Sequence, residues 1–82
     1  MKNHYILYCK KSCPYCKKAV ALLTEKKQPF KVVDLSRAPK VLEQVKMAFD
    51  WSTVPIIFKR EDKFQVLVGG YTDLENFLGR RS

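Results

Sequence analysis

Cys13 and Cys16 are two cysteines three positions apart, a spacing that allows their thiols to form a disulfide. They follow an apolar run and precede residues with helical periodicity, a context typical of a redox dithiol. Their sulfurs can meet if the backbone between them turns tightly, as in the first turn of a helix. Pro14 suits the first helical position, because its fixed φ fits the helix and its N–H would be unpaired there anyway. The motif therefore predicts thiol–disulfide exchange.

The position of Cys13 predicts that its sulfur is a nucleophile. At the start of a helix, unpaired backbone N–H groups and the helix dipole stabilise a negative charge. We therefore expect the Cys13 thiol to ionise well below the roughly 8.5 of a free cysteine. A thiolate at neutral pH can attack a disulfide bond.

Length and composition limit what surrounds this dithiol. With 82 residues the chain has room for one small domain, and we predict a single domain over residues 1–82. Three cysteines are too few, and odd in number, for a disulfide-stapled secreted scaffold. The residues from Met1 onward do not resemble a secretory signal, and no apolar run approaches the roughly 20 residues of a membrane span. We expect a cytoplasmic monomer that does not contact membranes.

The charge of the chain is strongly positive. Lys and Arg number 16 against 8 Asp and Glu, a net charge of +8, which favours anionic partners in general. The lysines are spread along the chain, a pattern typical of a solvated surface. Four aromatic residues fall in strand-like apolar runs, which predicts core positions rather than stacking platforms for nucleic-acid bases: Tyr5, Phe30, Phe58 and Phe64. We expect no nucleic-acid partner.

The first half of the chain reads as strand, helix, strand. Residues 4–9 are rich in aromatic and branched side chains, and Pro29 closes a helical pattern that follows the dithiol. The apolar positions of that helix are Ala19, Val20, Leu22 and Leu23. A second strand is predicted over 30–35. Two strands joined through a helix form a parallel pair with a right-handed crossover.

The second half predicts a helix, a hairpin and a last helix. We expect the helix over 39–49, with Ser36 as its cap and Val41, Leu42, Val45 and Ala48 or Phe49 as its apolar stripe. Residues 55–59 and 64–68 are two short strands around a polar turn. Gly69 and Gly70 then break the second strand, and Thr72 or Asp73 can cap a helix whose inward residues are Leu74, Phe77 and Leu78.

The predicted order is therefore β-α-β-α-β-β-α. A parallel pair combined with an antiparallel hairpin gives a mixed four-stranded sheet flanked by helices. This α/β arrangement is the thioredoxin-like fold.

Three motifs resemble those of the glutaredoxin family, in the same order along nearly the whole chain. They are Cys13-Pro14-Tyr15-Cys16 after the first strand, Thr53-Val54-Pro55 before the third, and Gly69-Gly70-Tyr71-Thr72-Asp73 after the fourth. The resemblance implies a glutathione-dependent thiol–disulfide oxidoreductase, with Cys13 as the attacking thiolate and Cys16 as the resolving thiol. The position of Cys16 agrees with that role, because one turn into the helix it should be buried and less acidic.

The resemblance also implies which residues bind glutathione. Pro55 is similar to the family's cis-proline, and the backbone of Val54 would pair with the backbone of the substrate cysteine like an added strand. The start of the last helix would receive the γ-glutamyl carboxylate, and Asp73 its amino group. The full predicted set is Lys10, Tyr15, Thr53, Val54, Pro55, Gly70, Thr72 and Asp73.

The glycyl carboxylate of glutathione has a less clear counterpart in this chain. Lys10 matches the family lysine near that carboxylate, and Gln44 and Lys46 are candidates for a further contact from the second helix. The Asp50 carboxylate would repel an anionic ligand if it pointed into the groove. Trp51 is either a hydrophobic plug or a contact for a protein partner.

Other interpretations of the cysteines stay open at this point. Cys9 is expected to be a small buried hydrophobe, with a regulatory oxidation or a second disulfide as the alternative. The spacing of Cys9, Cys13 and Cys16 also resembles the cluster loop of radical S-adenosylmethionine enzymes, but those need a barrel several times this size. A zinc site would need two more ligands than the Cys13–Cys16 pair supplies, and only Cys9 and His4 remain. We expect no metal.

The expected partners are glutathione and proteins that carry a disulfide or a bound glutathione, with ribonucleotide reductase among the candidates. One alternative is a glutaredoxin-like redoxin that receives its electrons from thioredoxin reductase. Another is a binding module of thioredoxin fold whose dithiol is not catalytic.

Overall fold

The computed structural model describes residues 3–11 and 13–79 and has the predicted order of elements. The strands are β1 (His4–Cys9), β2 (Phe30–Asp34), β3 (Ile56–Glu61) and β4 (Phe64–Gly69), and the helices are α1 (Pro14–Glu25), α2 (Pro39–Ala48) and α3 (Tyr71–Gly79). The prediction of a thioredoxin-like fold is confirmed. The ends of the predicted domain, at residues 1 and 82, and the predicted absence of a signal at Met1 lie outside the described residues.

The four strands form one mixed sheet in the order β2-β1-β3-β4. β1 and β2 are parallel, with Leu7 opposite Val32, whereas β3 runs antiparallel to both β1 and β4. β1 is therefore central, and its carboxyl end delivers the chain directly to the dithiol.

The sheet has a core on each face because successive side chains of its central strands point to opposite faces. In β1, Tyr5, Leu7 and Cys9 are buried on the face that α1 and α3 cover. The opposite face packs against α2, with Leu35, Leu42, Ile56 and Phe58 at its centre. Burying one such Leu or Ile side chain contributes about 1.5–3 kcal/mol. Helices packed on both faces thus fix the positions of the strand ends next to the dithiol.

Three predicted core positions are wrong: Phe64, Val41, and the end of the α2 stripe, where Ala48 and Phe49 are both exposed. Phe64 is 61% exposed and is the first residue of β4, which is an edge strand. Val41, predicted in the apolar stripe of α2, is 45% exposed, whereas Leu42 is buried against the sheet. Tyr5 and Phe58, by contrast, are each 1% exposed, as predicted.

The predicted helix cap at Ser36 is also wrong. The residue at the start of α2 is Ala38, with no side-chain cap, and Pro39 occupies the first turn. The Ser36 hydroxyl donates instead to the Asp34 carboxylate at 2.6 Å and accepts a hydrogen bond from the Lys11 backbone N–H. Ser36 thereby ties the end of β2 to the loop that leads into α1.

Other element ends differ slightly from prediction. β3 begins at Ile56 and continues to Glu61, because Arg60 and Glu61 pair with β4 instead of forming the turn. α2 ends at Ala48, and Phe49 packs edge-on against Phe58 at 4.8 Å between ring centroids. In the part of the chain that the structure describes, no helix has both the length and the apolar character needed to span a bilayer.

Candidate active site

The dithiol lies where β1 passes into α1. Cys13 has extended backbone angles, φ −95° and ψ 111°, and directly precedes the helix, with Pro14 in its first turn. The backbone N–H of Lys17 donates to the Cys13 carbonyl at 3.3 Å. The Cys13 side chain makes no capping hydrogen bond and is half-buried, whereas Cys16 is 6% exposed. The helix therefore presents one thiol and encloses the other, as predicted.

The Cys13 thiol faces a distant segment of the chain. Its Sγ atom donates to the Val54 carbonyl oxygen at 3.8 Å. The peptide bond between Val54 and Pro55 is cis, and Pro55 is buried. The structure thus brings the Cys-Pro-Tyr-Cys motif and the Thr-Val-Pro motif into contact.

The environment of Cys16 favours its neutral form. Burial, followed by hydrogen bonding to Cys13 and Cys9, raises the pKa of the Cys16 thiol above its ordinary value. The backbone of Lys10 acts on the pKa of the same thiol in the opposite direction. Burial likewise raises the pKa of Cys9. Cys16 is consequently suited to remain protonated while Cys13 reacts.

An open groove of about 250 Å³ runs from Tyr15 and Val54, which neighbour the dithiol, to the start of α3. It collects seven of the eight predicted glutathione-binding residues: Tyr15, Thr53, Val54, Pro55, Gly70, Thr72 and Asp73. The remaining predicted residue, Lys10, is exposed after the end of β1 and does not line the groove. Its predicted contact with the glycyl carboxylate stays a prediction.

The start of α3 has a specific backbone geometry. Gly69 has φ +121°, a conformation that other residues rarely adopt, and a Cβ atom there would lie 2.5 Å from Asp73 Oδ2. That oxygen accepts a hydrogen bond from the Gly70 N–H at 3.0 Å. The helix begins at Tyr71, so Gly70 holds the cap position and the predicted cap at Thr72 or Asp73 is wrong, because both residues lie inside the first turn. Asp73 reaches back from that turn to the Gly70 N–H, as the third helical residue of a capping box does.

Aromatic side chains form the outer walls of the groove. The rings of Tyr15 and Tyr71 lie 6.1 Å apart, and Lys18 Nζ lies 5.1 Å from the centroid of the Tyr15 ring. Tyr71 was not among the predicted residues, although its position between the predicted residues Gly70 and Thr72 indicates that it lies near the groove. Lys18 adds a positive charge one helical turn from the dithiol.

Trp51 is a wall between two depressions. It lines the groove and also a neighbouring surface pocket of about 410 Å³ that includes Lys46 and Asp50. Its Nε1 atom is buried and has no hydrogen-bond partner among the described residues. Asp50 lines only the neighbouring pocket, and Gln44 lines neither. Trp51 thus has a place in the groove wall that its sequence position alone did not show.

No group of three His, Cys, Asp or Glu side chains is arranged to hold a metal ion within residues 3–11 and 13–79. The predicted absence of a metal stays a prediction. A larger open depression of about 700 Å³ lies between β4 and α3, away from both thiols. Its cation, Lys59, is engaged by Glu61 at 3.5 Å and by the Tyr5 ring at 5.5 Å.

Comparison with known proteins identifies the family to which this site belongs. The glutaredoxin family model matches residues 5–64. No curated protein sequence gives a significant match. The solution structure of glutaredoxin from Brucella melitensis has a TM-score of 0.71 and 27% sequence identity, covering 94% of this chain and 79% of that one.

Two further solved structures share the fold alone. The crystal structure of a mutant thioredoxin-like protein has a TM-score of 0.65 at 17% identity, covering 90% of this chain and 97% of that one. The structure of a malarial protein has a TM-score of 0.57 at 15% identity, with coverage of 98% and 97%. The family match spans more than half of this chain and includes the dithiol. The chain therefore belongs to the glutaredoxin family, whose members are thiol oxidoreductases.

Proposed function

We propose that the protein is a glutathione-dependent oxidoreductase that reduces protein disulfides and protein–glutathione mixed disulfides. The observation that carries this proposal is the position of Val54. Its carbonyl oxygen lies 3.8 Å from Cys13 Sγ. Val54 also lines the groove, which extends to Gly70 and Asp73. A ligand joined to Cys13 through its own cysteine can therefore lie along Val54 and reach the start of α3.

The two ends of glutathione explain why that reach is useful. Its γ-glutamyl end carries a carboxylate and an amino group. The first N–H groups of α3 can receive the carboxylate, and Asp73 can pair with the amino group. Tyr15 covers the side of the groove next to the dithiol. Charge and shape in the groove thus favour a short peptide with this arrangement of ends.

The reaction is thiol–disulfide exchange. The Cys13 thiolate attacks one sulfur of the substrate disulfide, a new S–S bond forms, and the other sulfur leaves as a thiolate that takes a proton from solvent. Cys16, after losing its proton, then attacks Cys13 and releases the second substrate thiol, which leaves a Cys13–Cys16 disulfide. Two glutathione molecules reduce that disulfide and become glutathione disulfide. With a glutathionylated protein, a second glutathione can resolve the Cys13 intermediate without Cys16.

We infer the cellular compartment and the class of protein substrate from the thiol chemistry and the charge of the chain. A protein that works through free thiols and glutathione fits the reducing conditions of the cytoplasm. Its net charge of +8 favours acidic protein substrates. Ribonucleotide reductase is one candidate among the proteins that must be reduced after each turnover.

The test is NADPH consumption with a glutathione mixed disulfide as substrate, measured with two reducing systems. One contains glutathione and glutathione reductase, and the other contains thioredoxin reductase alone. Turnover only with glutathione is the expected result. Turnover only with thioredoxin reductase would keep the dithiol chemistry and remove the roles given to Thr72 and Asp73. A Cys13→Ser control should be inactive in both systems.

A further inference from the structure

Cys9 is a third thiol close to the dithiol. It is the last residue of β1, is 4% exposed, and belongs to the same core cluster as Cys16. Cys9 and Cys13 both lie close enough to Cys16 to help raise the pKa of its thiol. The end of β1 therefore lies near the resolving thiol.

The two inner thiols also share a cavity of their own. Cys9 and Cys16 line a depression of about 270 Å³ together with Lys17, Val20 and Val32. It is separate from the groove at Val54 and opens beside the edge strand β2, where Val32 is 43% exposed. Cys9 and Cys16 therefore both border open space, which residues of a fully closed core do not.

We propose that Cys9 is a redox-active residue of this site that displaces Cys13 from its disulfide with Cys16. The inference rests on the proposed function, because that reaction produces the Cys13–Cys16 disulfide. Cys9 shares a core cluster and a depression with Cys16, and the exchange needs no other reactant.

The displacement is balanced within the chain. The Cys9 thiol loses its proton and its sulfur attacks the Cys16 sulfur. The bond between Cys13 and Cys16 breaks, a bond between Cys9 and Cys16 forms, and Cys13 leaves as a thiolate. The proton from Cys9 goes to solvent. The chain carries one disulfide before and after the step, so no oxidant or reductant is consumed. Cys13, at the start of α1, is the favoured leaving group because the helix end stabilises its thiolate.

The consequence is an oxidised enzyme that still presents a free nucleophile. With the disulfide held between Cys9 and Cys16, Cys13 remains beside Val54 and the groove. Such a form can remove glutathione from proteins through Cys13 and a second glutathione, the route that needs no resolving thiol. The third cysteine thus converts a dithiol site into a single-thiol site under oxidising conditions.

The bond itself is tested in the Cys13→Ser variant, oxidised with diamide under native conditions. This variant retains Cys9 and Cys16 as its two thiols. We expect free thiols to fall from two per chain to none, with the chain still monomeric on a non-reducing gel. The Cys13→Ser/Cys9→Ala double variant, which should keep its one thiol, is the matched control. Two free thiols retained in folded Cys13→Ser protein would overturn the proposal.

The exchange is tested in the wild-type chain, because trypsin cuts at Lys10 and Lys11 and separates Cys9 from the dithiol. The chain is oxidised with glutathione disulfide, its free thiols are alkylated, and it is digested without reduction. We expect peptides 3–10 and 12–17 joined by a disulfide, with the alkyl group on Cys13. Finding only an internal disulfide in peptide 12–17 would refute the exchange.

These results are independent of the coupled assay. Turnover with glutathione but no joined peptide leaves the proposed function standing and removes the role of Cys9. Joined peptides without turnover would leave the thiol exchange standing and remove glutathione dependence. Circular dichroism of the Cys9→Ala variant shows whether loss of the joined peptide reflects the missing sulfur or an unfolded chain.

Discussion

Cys13 Sγ lies 3.8 Å from the carbonyl oxygen of Val54, a residue 41 positions away in the chain. The contact joins the start of α1 to the segment that leads into β3, next to the cis Val54–Pro55 bond. Because Val54 also lines the groove, the reactive sulfur and the candidate substrate site share one wall. The proposal that a substrate cysteine pairs its backbone with Val54 rests on this shared wall.

The first prediction concerns the different roles of the two thiols. Cys13→Ser should abolish exchange with any disulfide, because it removes the attacking sulfur. Cys16→Ser should lose reduction of protein disulfides but keep at least part of the removal of glutathione from mixed disulfides, since a second glutathione can resolve the intermediate. Both rates are measured with the glutathione-coupled assay. An active Cys13→Ser protein would show that the nucleophile is misassigned.

The second prediction concerns stability at high pH. In the folded protein the Cys16 thiol keeps its proton above its ordinary pKa of 9.0. In the unfolded chain it loses that proton. The unfolded state then binds fewer protons, so the free energy of unfolding falls as pH rises above about 9, by up to about 1.4 kcal/mol per pH unit for one thiol.

Urea unfolding of the fully reduced protein at neutral pH and at about pH 10 measures this loss. The Cys16→Ala variant is the control, because it lacks this thiol. Its free energy of unfolding should decline less between the two pH values. An equal decline in both proteins would mean that Cys16 titrates alike in the folded and unfolded states.

The third prediction concerns the glycine before α3. Gly69→Ala places a Cβ 2.5 Å from Asp73 Oδ2 at a residue with φ +121°. We expect a loss of at least about 1–2 kcal/mol of stability from the backbone conformation alone, together with a higher KM for glutathione because Asp73 must move.

Gly79→Ala is the matched control for that substitution. It lies at the end of the same helix, and a Cβ there would meet nothing within 4 Å. Its thermal unfolding and KM should stay close to those of the wild type. A Gly69→Ala protein as stable as Gly79→Ala would show that the turn can relax without strain.

The fourth prediction separates two roles of Asp73. Asp73→Asn keeps an oxygen that can accept the Gly70 N–H and removes the negative charge, whereas Asp73→Ala removes both. Thermal unfolding should show Asp73→Asn near the wild type and Asp73→Ala lower by about 1 kcal/mol, the value of a helix cap. Both variants should have a higher KM for glutathione. A normal KM in Asp73→Asn would remove the proposed pairing with the γ-glutamyl amino group.

The order of the elements, the sheet type and the dithiol were predictable from the amino-acid sequence. These follow from local properties: the alternation of β1, the helical spacing after Cys16, and the prolines and glycines that end each element. The roles of exposed and enclosed thiol were predictable for the same reason, because they depend on position within one helical turn. Seven groove residues were also predicted, since the motifs that contain them lie at strand and helix ends.

Features that depend on contacts between distant segments could not be predicted from local sequence patterns. Phe64 is exposed because β4 is an edge strand, and strand order is a property of the whole sheet. Ser36 binds Asp34 and Lys11 instead of capping α2, because the loop before α1 lies beside the end of β2. The position of Trp51 in the groove wall and the proximity of Cys9 to Cys16 also result from contacts between distant segments. Side chains far apart in sequence become neighbours only when the sheet brings the ends of its strands together.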